Sequence, residues 1–506
     1  MSGNSFSLGF PGGGVGPDRD QLYRSVMGAI GAGSEQEALA RLAAAPPGTW
    51  RDPRLWQAKA LLHRELGELE PAVAAFEEAA TLARNDASIL HGRARARMEA
   101  GLPAGAAYRD ALAIAPGDND LLLGLIAALA AEAGAPAAIA QLEDLLLRNP
   151  GWVDGHDALC RLRWQSGDHE GFADTLEATL RRYPRDMRLW KLIIVLLSQR
   201  DLNARMLEMV LRGQASAGDH LIFTANEAVA RAELGQMAEA DRLFERLKHV
   251  DEPTLRVRWV RHLLRSGRAR QGAELAYAMA QGPAGFLFWP YVSVAWRLLG
   301  DPRWEWLEGD ERLVGVYDLS DRLAPLAALA ERLRGLHSVS SEPLEQSVRG
   351  GTQTDGPLLS RLEPEIRSLR AVMIETVEEH VRGLPPVDAA HPVLRHRRDA
   401  PIRIAGSWSV RLTGAGFHTN HIHPQGWFSS ALYIAVPGEE QRGPAPAGWL
   451  SLGVPQKELG VELPPLRDVE PEPGRLVLFP SMMWHGTRPF GEGERLTCAF
   501  DVAQPR

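Results

Sequence analysis

The stretch HTNHIHPQGWFSSALYIAV, residues 418–436, decides the fold of the C-terminal part of the chain. Its apolar segment from Trp427 to Val436, rich in aromatic and branched side chains, predicts a β-strand. His421 and His423 lie two apart in a run that also predicts a strand, and side chains two apart on a strand share a face. His485 follows a third strand-like run. The three histidines therefore predict a three-ligand metal site.

Further short strands are predicted on both sides of this stretch, separated by turns with Gly and Pro. They cover residues 402–412, 449–454, 475–479 and 496–502. About eight short strands in roughly 110 residues are typical of a sandwich or a jelly-roll barrel. A jelly roll can supply two ligands from alternate residues of one strand and a third from the end of a neighbouring strand.

A candidate anion site follows the distal histidine by ten residues. Arg495 can bind a carboxylate through two parallel hydrogen bonds, which a lysine cannot do. Thr497 shares its strand face and can add a hydroxyl, and Tyr433 can contribute a phenol from an adjacent strand. The alternative is that Arg495 forms a surface ion pair with Glu492 or Glu494, a contact that contributes little free energy.

The preceding part of the chain repeats with a period of 32 to 34 residues, and only the slot at Asp201 lacks a glycine. The glycines of this grid are Gly33, Gly67, Gly101, Gly134, Gly167, Gly235, Gly267 and Gly300. A glycine between two amphipathic segments is typical of a helical hairpin, and a fixed period predicts an array of hairpins.

One unit of this array resembles the tetratricopeptide repeat. The matching residues are Trp56, Ala60, Gly67, Ala72, Phe76 and Ala79. The resemblance implies a superhelix with a concave face, and such a groove recognises extended peptides more easily than small molecules.

The predicted domains are a flexible N-terminus (1–17), a tetratricopeptide-like repeat domain (18–335), a linker (336–390) and a jelly roll (391–506). In the linker, the polar Gly-rich segment 347–355 predicts a loop and the apolar spacing over 358–381 predicts one amphipathic helix. Arg349 and Gln353 resemble residues of proteins that join these two domains, which implies a lid or a substrate contact.

The C-terminal motifs also resemble a family, the 2-oxoglutarate/Fe(II) oxygenases of bacteria and phages. The similar segments are 418–433, 473–485 and 494–497. The resemblance implies that His421 and His485 bind iron and that Arg495 anchors 2-oxoglutarate. The common pattern has Asp where this chain has His423, and 418–436 contains no Asp or Glu. Three neutral imidazoles would leave the iron with one more net positive charge.

Four residues near the predicted site keep alternative roles. His423 either binds the metal or points at the substrate or 2-oxoglutarate. His418 lies on the opposite strand parity and is a possible ligand, outer-shell group or substrate contact. Trp427 and Tyr433 form either core or pocket wall.

Composition excludes some function classes. A net charge of −8 argues against a nucleic-acid partner. No apolar run reaches the length of a membrane span, and the N-terminus lacks the pattern of a signal peptide. Two distant cysteines, Cys160 and Cys498, fit a reducing cytoplasm.

Three functions are consistent with these patterns. The first is an Fe(II)- and 2-oxoglutarate-dependent dioxygenase that hydroxylates a peptide or protein substrate. The second is a repeat adaptor whose jelly roll is inactive. The third is a cupin-type dioxygenase that uses three histidines and no 2-oxoglutarate. Substrate identity and oligomeric state do not follow from the sequence.

Overall fold

A computed structural model describes residues 19–339, 341, 343–344 and 347–505. The N-terminus that was expected to be flexible, residues 1–17, lies outside the described residues. The chain divides into two compact units, one ending at Gly117 and the other running from Asp118 to Pro505.

The first unit consists of helices that pair in sequence. They are α1 (Arg19–Met27), α2 (Glu35–Ala43), α3 (Pro53–Glu65), α4 (Leu69–Leu82), α5 (Ala87–Glu99) and α6 (Gly105–Ile114). The turn inside each pair holds a glycine with left-handed φ: 80° at Gly33, 70° at Gly67 and 74° at Gly101. A Cβ atom would strain this conformation, so the glycine period marks the hairpin turns.

The second unit begins with the same kind of hairpin. Its helices up to residue 308 are α7 (Asn119–Ala133), α8 (Ala135–Arg148), α9 (Val153–Gln165), α10 (Asp174–Arg182), α11 (Met187–Gln199), α12 (Asn203–Ala217), α13 (Leu221–Glu233), α14 (Met237–Arg246), α15 (Pro253–Arg265), α16 (Ala269–Ala280), α17 (Trp289–Leu299) and α18 (Arg303–Glu308). At the one position of the period without a glycine, Asp201 keeps the left-handed backbone conformation, with a φ of 54°. The predicted helical repeat is confirmed.

Aspartates mark the starts of several hairpins. Asp52, Asp86, Asp118 and Asp186 precede α3, α5, α7 and α11, and each side chain accepts a backbone N–H of the first helical turn. Such a cap contributes about 1 kcal/mol. The first helix of a hairpin is therefore delimited by a capping aspartate before it and a left-handed residue after it.

The remaining residues form two antiparallel sheets with α19 (Leu326–Arg334), α20 (Pro364–Gly383) and the short α21 (Glu439–Arg442). The strands are β1 (Gly315–Asp318), β2 (Val348–Gln353), β3 (Ile404–His418), β4 (Gly426–Ala435), β5 (Leu450–Leu452), β6 (Arg467–Val469), β7 (Arg475–Pro480), β8 (His485–Thr487) and β9 (Glu494–Ala503). The larger sheet has the order β1-β7-β4-β9-β3-β2 and the smaller sheet β6-β5-β8. The predicted jelly roll is confirmed.

The larger sheet has two different faces, which β9 shows most clearly. Cys498 and Phe500 point into the apolar core shared with α17 and α20. Arg495 and Thr497 point the other way and line a cavity. The period of two along a strand thus separates packing residues from candidate functional residues.

The predicted loop at 347–355 is wrong, because residues 348–353 form β2 and pair with β3. Val348 lies opposite His418 and Gln353 opposite Val410, with a register shift at Gly350, whose φ is 70°. The Gly-rich polar composition of this segment is typical of a loop. The segment forms a strand because it pairs with the edge of β3, which is distant in sequence. β1 also precedes residue 391, where the jelly roll was expected to begin, and it pairs with β7 of the larger sheet.

Two other boundaries differ from the sequence prediction. The helix predicted from Leu358 begins at Pro364. Proline has no backbone N–H to donate, so it fits in the first turn of a helix and disrupts the hydrogen bonds of a helix interior. β3 ends at His418, so His421 and His423 follow the strand instead of lying within it. His421 forms only an isolated bridge with His485.

In the described part of the chain, no helix combines the length and apolar character that crossing a bilayer requires.

Candidate metal centre

Three histidine side chains converge between the two sheets. One ring nitrogen from each of His421, His423 and His485 lies within 4.8 Å of the others. The backbone sets this arrangement: the N–H of His421 donates to the carbonyl of His485 at 2.9 Å, and the N–H of His423 donates to the carbonyl of Ser481 at 2.9 Å. The loop after β3 is thereby fastened to the segment that leads into β8.

Each of the three imidazoles has an acceptor at Nδ1. The acceptors are the carbonyl of Thr419 for His421 (2.8 Å), the carbonyl of Met483 for His485 (2.9 Å) and Asp501 Oδ2 for His423 (2.7 Å). A carbonyl oxygen can only accept, so Nδ1 carries the proton in His421 and His485. This tautomer leaves the Nε2 lone pair available to a metal ion.

Burial keeps the imidazoles of His421 and His485 neutral. Burial, together with repulsion from His423, lowers the pKa of His485 to about 3. Burial and the neighbouring histidines lower the pKa of His421 well below its ordinary value. Neutral imidazole is the form that binds metal, so these two groups are ready to bind over the physiological pH range.

His418 also faces the cavity, contrary to the expectation from strand parity. The Ser347 hydroxyl lies 3.2 Å from His418 Nδ1 and 3.2 Å from His421 Nε2. Burial and the charge of Arg495 lower the pKa of His418 to about 3. The parity argument fails here because β3 ends at His418, so the alternation does not continue to residue 421.

Arg495 lies in the same cavity and is only 3% exposed. Its Nη1 donates to Thr487 Oγ1 at 2.5 Å, and its guanidinium carbon lies 5.0 Å from the ring centroid of Tyr433. Within the described residues, Arg495 Nε is buried without a hydrogen-bond partner. Buried polar atoms are normally paired, so this arrangement suits an anionic ligand.

The surface ion pair considered for Arg495 is not formed with Glu494. Glu494 instead pairs with Arg334 and with Arg411 Nε, the latter at 2.6 Å. Adjacent residues of β9 point to opposite faces, which separates Glu494 from Arg495. In the described chain no carboxylate forms an ion pair with Arg495.

The cavity is partly open to solvent. Gln353 and Thr497 line it, as does Phe479, whose ring lies 4.6 Å from that of His485. Arg349 lies on the edge strand β2 and donates to the carbonyl of Val348. Trp427 lies in the apolar core and donates to the carbonyl of Val393 at 3.0 Å, so it is not placed to contact a substrate in the cavity.

Sequence reasoning missed several cavity residues. Two of them could have been found from side-chain alternation along a strand. Asp501 lies an even number of residues after Arg495, and Thr487 lies two after His485, so each shares the cavity-facing side of its strand. Ser347 and Trp408 had no such signal in the sequence. Ser347 lies near the histidines because β2 pairs with β3, and Trp408 because it lies on the sheet face that lines the cavity.

Comparison with known proteins gives one family match. Residues 406–501 match the family described as "Putative 2OG-Fe(II) oxygenase". The matched range contains the three histidines and Arg495. No curated protein matches the chain.

Three solved structures are similar in part. A tetratricopeptide repeat protein from Parabacteroides merdae ATCC 43184 is 19% identical, over 47% of this chain and 95% of that one, with a TM-score of 0.30. A prolyl-4-hydroxylase from Pseudomonas putida is 18% identical, over 38% and 94%, with a TM-score of 0.25. The MamA protein is 17% identical, over 32% and 91%, with a TM-score of 0.24.

Proposed function

We propose that residues 391–506 carry an Fe(II)- and 2-oxoglutarate-dependent dioxygenase that hydroxylates a peptide or protein side chain. One observation carries the proposal: three histidine ring nitrogens within 4.8 Å of one another share a cavity with a buried guanidinium that has no carboxylate partner among the described residues. The match of residues 406–501 to an oxygenase family supports the same reaction class.

The histidines fit a divalent transition metal such as iron. His421, His423 and His485 offer three nitrogen ligands, and three protein ligands leave coordination positions open for small molecules. His423 occupies the position where the common pattern has a carboxylate. The ligand set therefore carries one negative charge fewer than that pattern.

The region around Arg495 fits the carboxylate of 2-oxoglutarate. A guanidinium binds a carboxylate through two hydrogen bonds, and here it is already oriented by Thr487. Tyr433, whose ring lies 5.0 Å from the guanidinium carbon, and Thr497, whose hydroxyl donates to the Val410 carbonyl at 3.5 Å, are further candidate contacts. The distal carboxylate would lie at Arg495 while the other end of the molecule faces the histidines.

Bound iron and 2-oxoglutarate together supply the oxidation of a C–H bond by O₂, with succinate and CO₂ as the other products. The protein's part is to hold and orient. Arg495 fixes the position of the co-substrate, and Phe479 and Leu450 make part of the wall apolar, which limits water. Ser347 and His418 lie beside His421, where they can contact the substrate.

The repeat helices supply a groove for an extended substrate. An open depression of about 1300 Å³ is lined by α7, α9 and α11 residues and by the turn before α9. Asn119 and Asn149 offer amides that can pair with a peptide backbone, and Leu192 and Val195 offer apolar contacts. This combination favours a peptide over a small molecule as the substrate.

The test is aerobic incubation with Fe(II), 2-oxoglutarate and candidate peptides, with succinate as the readout. Succinate above background in the wild type, and none with Arg495→Ala, supports the proposal. Under anaerobic conditions, a metal-to-ligand charge-transfer band with Fe(II) and 2-oxoglutarate reports both ligands. Stoichiometric iron without turnover of any candidate and without this band would contradict it.

The three-histidine ligand set also favours one alternative, a cupin-type dioxygenase that needs no 2-oxoglutarate. Such an enzyme has no use for the buried guanidinium of Arg495. Tight binding of 2-oxoglutarate that is lost in Arg495→Ala excludes this alternative. An adaptor without catalysis would need no stoichiometric iron, and His485→Ala would leave its partner binding intact.

A further inference from the structure

His423 differs from the other two histidines in the partner of its Nδ1. His421 and His485 donate to neutral backbone carbonyls, whereas His423 lies 2.7 Å from the carboxylate of Asp501. The side chains of His423 and Asp501 are 20% and 14% exposed, so water competes only weakly for this contact.

A network of hydroxyls holds the Asp501 carboxylate. Ser429, which lies opposite Asp501 in the pairing of β4 and β9, donates to Asp501 Oδ1 at 2.6 Å. The hydroxyl of Ser481 lies 2.9 Å from that of Ser429, and the carbonyl of Ser481 accepts the backbone N–H of His423. The two carboxylate oxygens therefore have separate partners, one hydroxyl and one imidazole.

The ring of His423 is also held from its face. The Trp408 ring lies parallel to it, with 7° between the planes and 5.6 Å between the centroids. Because the imidazole is fixed by stacking and by the carboxylate together, its orientation is set before any metal binds.

We infer that Asp501 is a positioning residue of the metal centre, which supplies through His423 the negative charge that the first ligand shell lacks. The inference rests on the proposed function. A carboxylate at Nδ1 selects the tautomer with a free Nε2 and makes that nitrogen a stronger donor to a divalent metal. The acid absent from position 423 is thus present on the far side of the His423 imidazole, hydrogen-bonded to Nδ1.

The first experiment titrates metal-free protein with Co(II) and follows its visible absorption. Asp501→Ala removes acceptor and charge, and the expected loss of affinity is about 10- to 100-fold. Asp501→Asn keeps an acceptor oxygen and loses the charge, so an intermediate loss is expected. Ser429→Ala leaves both partners in place and removes one anchor, with an expected loss of only a few-fold.

A second readout needs no metal. In the wild type, the ¹⁵N chemical shifts of the His423 ring should show a single tautomer with the proton on Nδ1. In Asp501→Ala they should show a mixture of tautomers. The matched control is Glu494→Gln, which removes a carboxylate from the same strand that contacts Arg334 and Arg411 instead of a histidine. It should leave affinity and tautomer unchanged.

The outcomes separate the two proposals. A wild-type protein that binds neither Co(II) nor Fe(II) overturns the proposed function and this inference with it. Tight wild-type binding that is unchanged in folded Asp501→Ala and Asp501→Asn overturns only the inference. Folding of each variant is checked by its circular dichroism.

Discussion

His421 and His485 are joined by two reciprocal backbone hydrogen bonds, with N to O distances of 2.9 Å and 3.0 Å. Their ring centroids lie 4.2 Å apart. The bonds fasten the loop after β3 to the first residue of β8, so two distant parts of the chain present their imidazoles at a fixed separation. The geometry of the candidate metal centre therefore depends on the pairing of backbones as much as on the presence of histidines.

Loss of one imidazole should abolish tight metal binding. In His485→Ala, two nitrogen ligands remain, and the affinity for Fe(II) or Co(II) should fall by about 100-fold or more. Metal content after dialysis, measured by mass spectrometry, checks this. The control is His380→Gln, since His380 is also buried but bonds to the Tyr317 hydroxyl. Equal metal content in wild type and His485→Ala would contradict the site.

Arg495→Met should stabilise the protein and destroy co-substrate binding. The guanidinium is buried and has no carboxylate partner among the described residues, so its removal should raise the free energy of unfolding by about 1–2 kcal/mol. Thermal unfolding without ligands measures this. Added 2-oxoglutarate should raise the midpoint of the metal-loaded wild type and leave that of the variant unchanged. A variant that is still stabilised by 2-oxoglutarate would contradict the anchor role.

Asp201→Gly should stabilise the repeat. Asp201 adopts φ 54°, where a glycine avoids a strain of about 1 kcal/mol. The matched control is Gly235→Ala at the equivalent turn, where φ is 78° and no atom crowds a Cβ. It should destabilise by a similar amount. Denaturant unfolding of both variants checks the pair, and shifts of the same sign would be inconsistent with a purely conformational cause.

Glu308 predicts a pH dependence of stability. Burial raises the pKa of its carboxyl to about 7, from an ordinary value near 4.5. The stability that the protonated form contributes is present below pH 4.5 and is lost as the pH rises through about 7. Glu308→Gln keeps an acceptor for the Ser293 hydroxyl and cannot ionise.

The variant should match the wild type near pH 4.5 and exceed it at pH 8 by up to about 3 kcal/mol. Unfolding free energies at the two pH values measure this. A difference between variant and wild type that is the same at both pH values would contradict the raised pKa.

The sequence by itself determined the local features. The glycine period marks the hairpin turns because a left-handed residue is a local requirement, and even the exception at Asp201 falls on the same grid. The alternation along β9 identified Arg495 and Thr497 as residues of one face, because side-chain direction on a strand follows from spacing alone.

Only the tertiary structure decided what lies across the chain from these residues. The pairing of β2 with β3 brings Ser347 to His421, and the pairing of β4 with β9 lets Ser429 orient Asp501 beside His423. These contacts join segments up to 78 residues apart, as for His423 and Asp501. Spacing along a chain carries no information about which edges pair. The sequence therefore predicted which histidines form the candidate metal centre, and the fold revealed the carboxylate that contacts one of them.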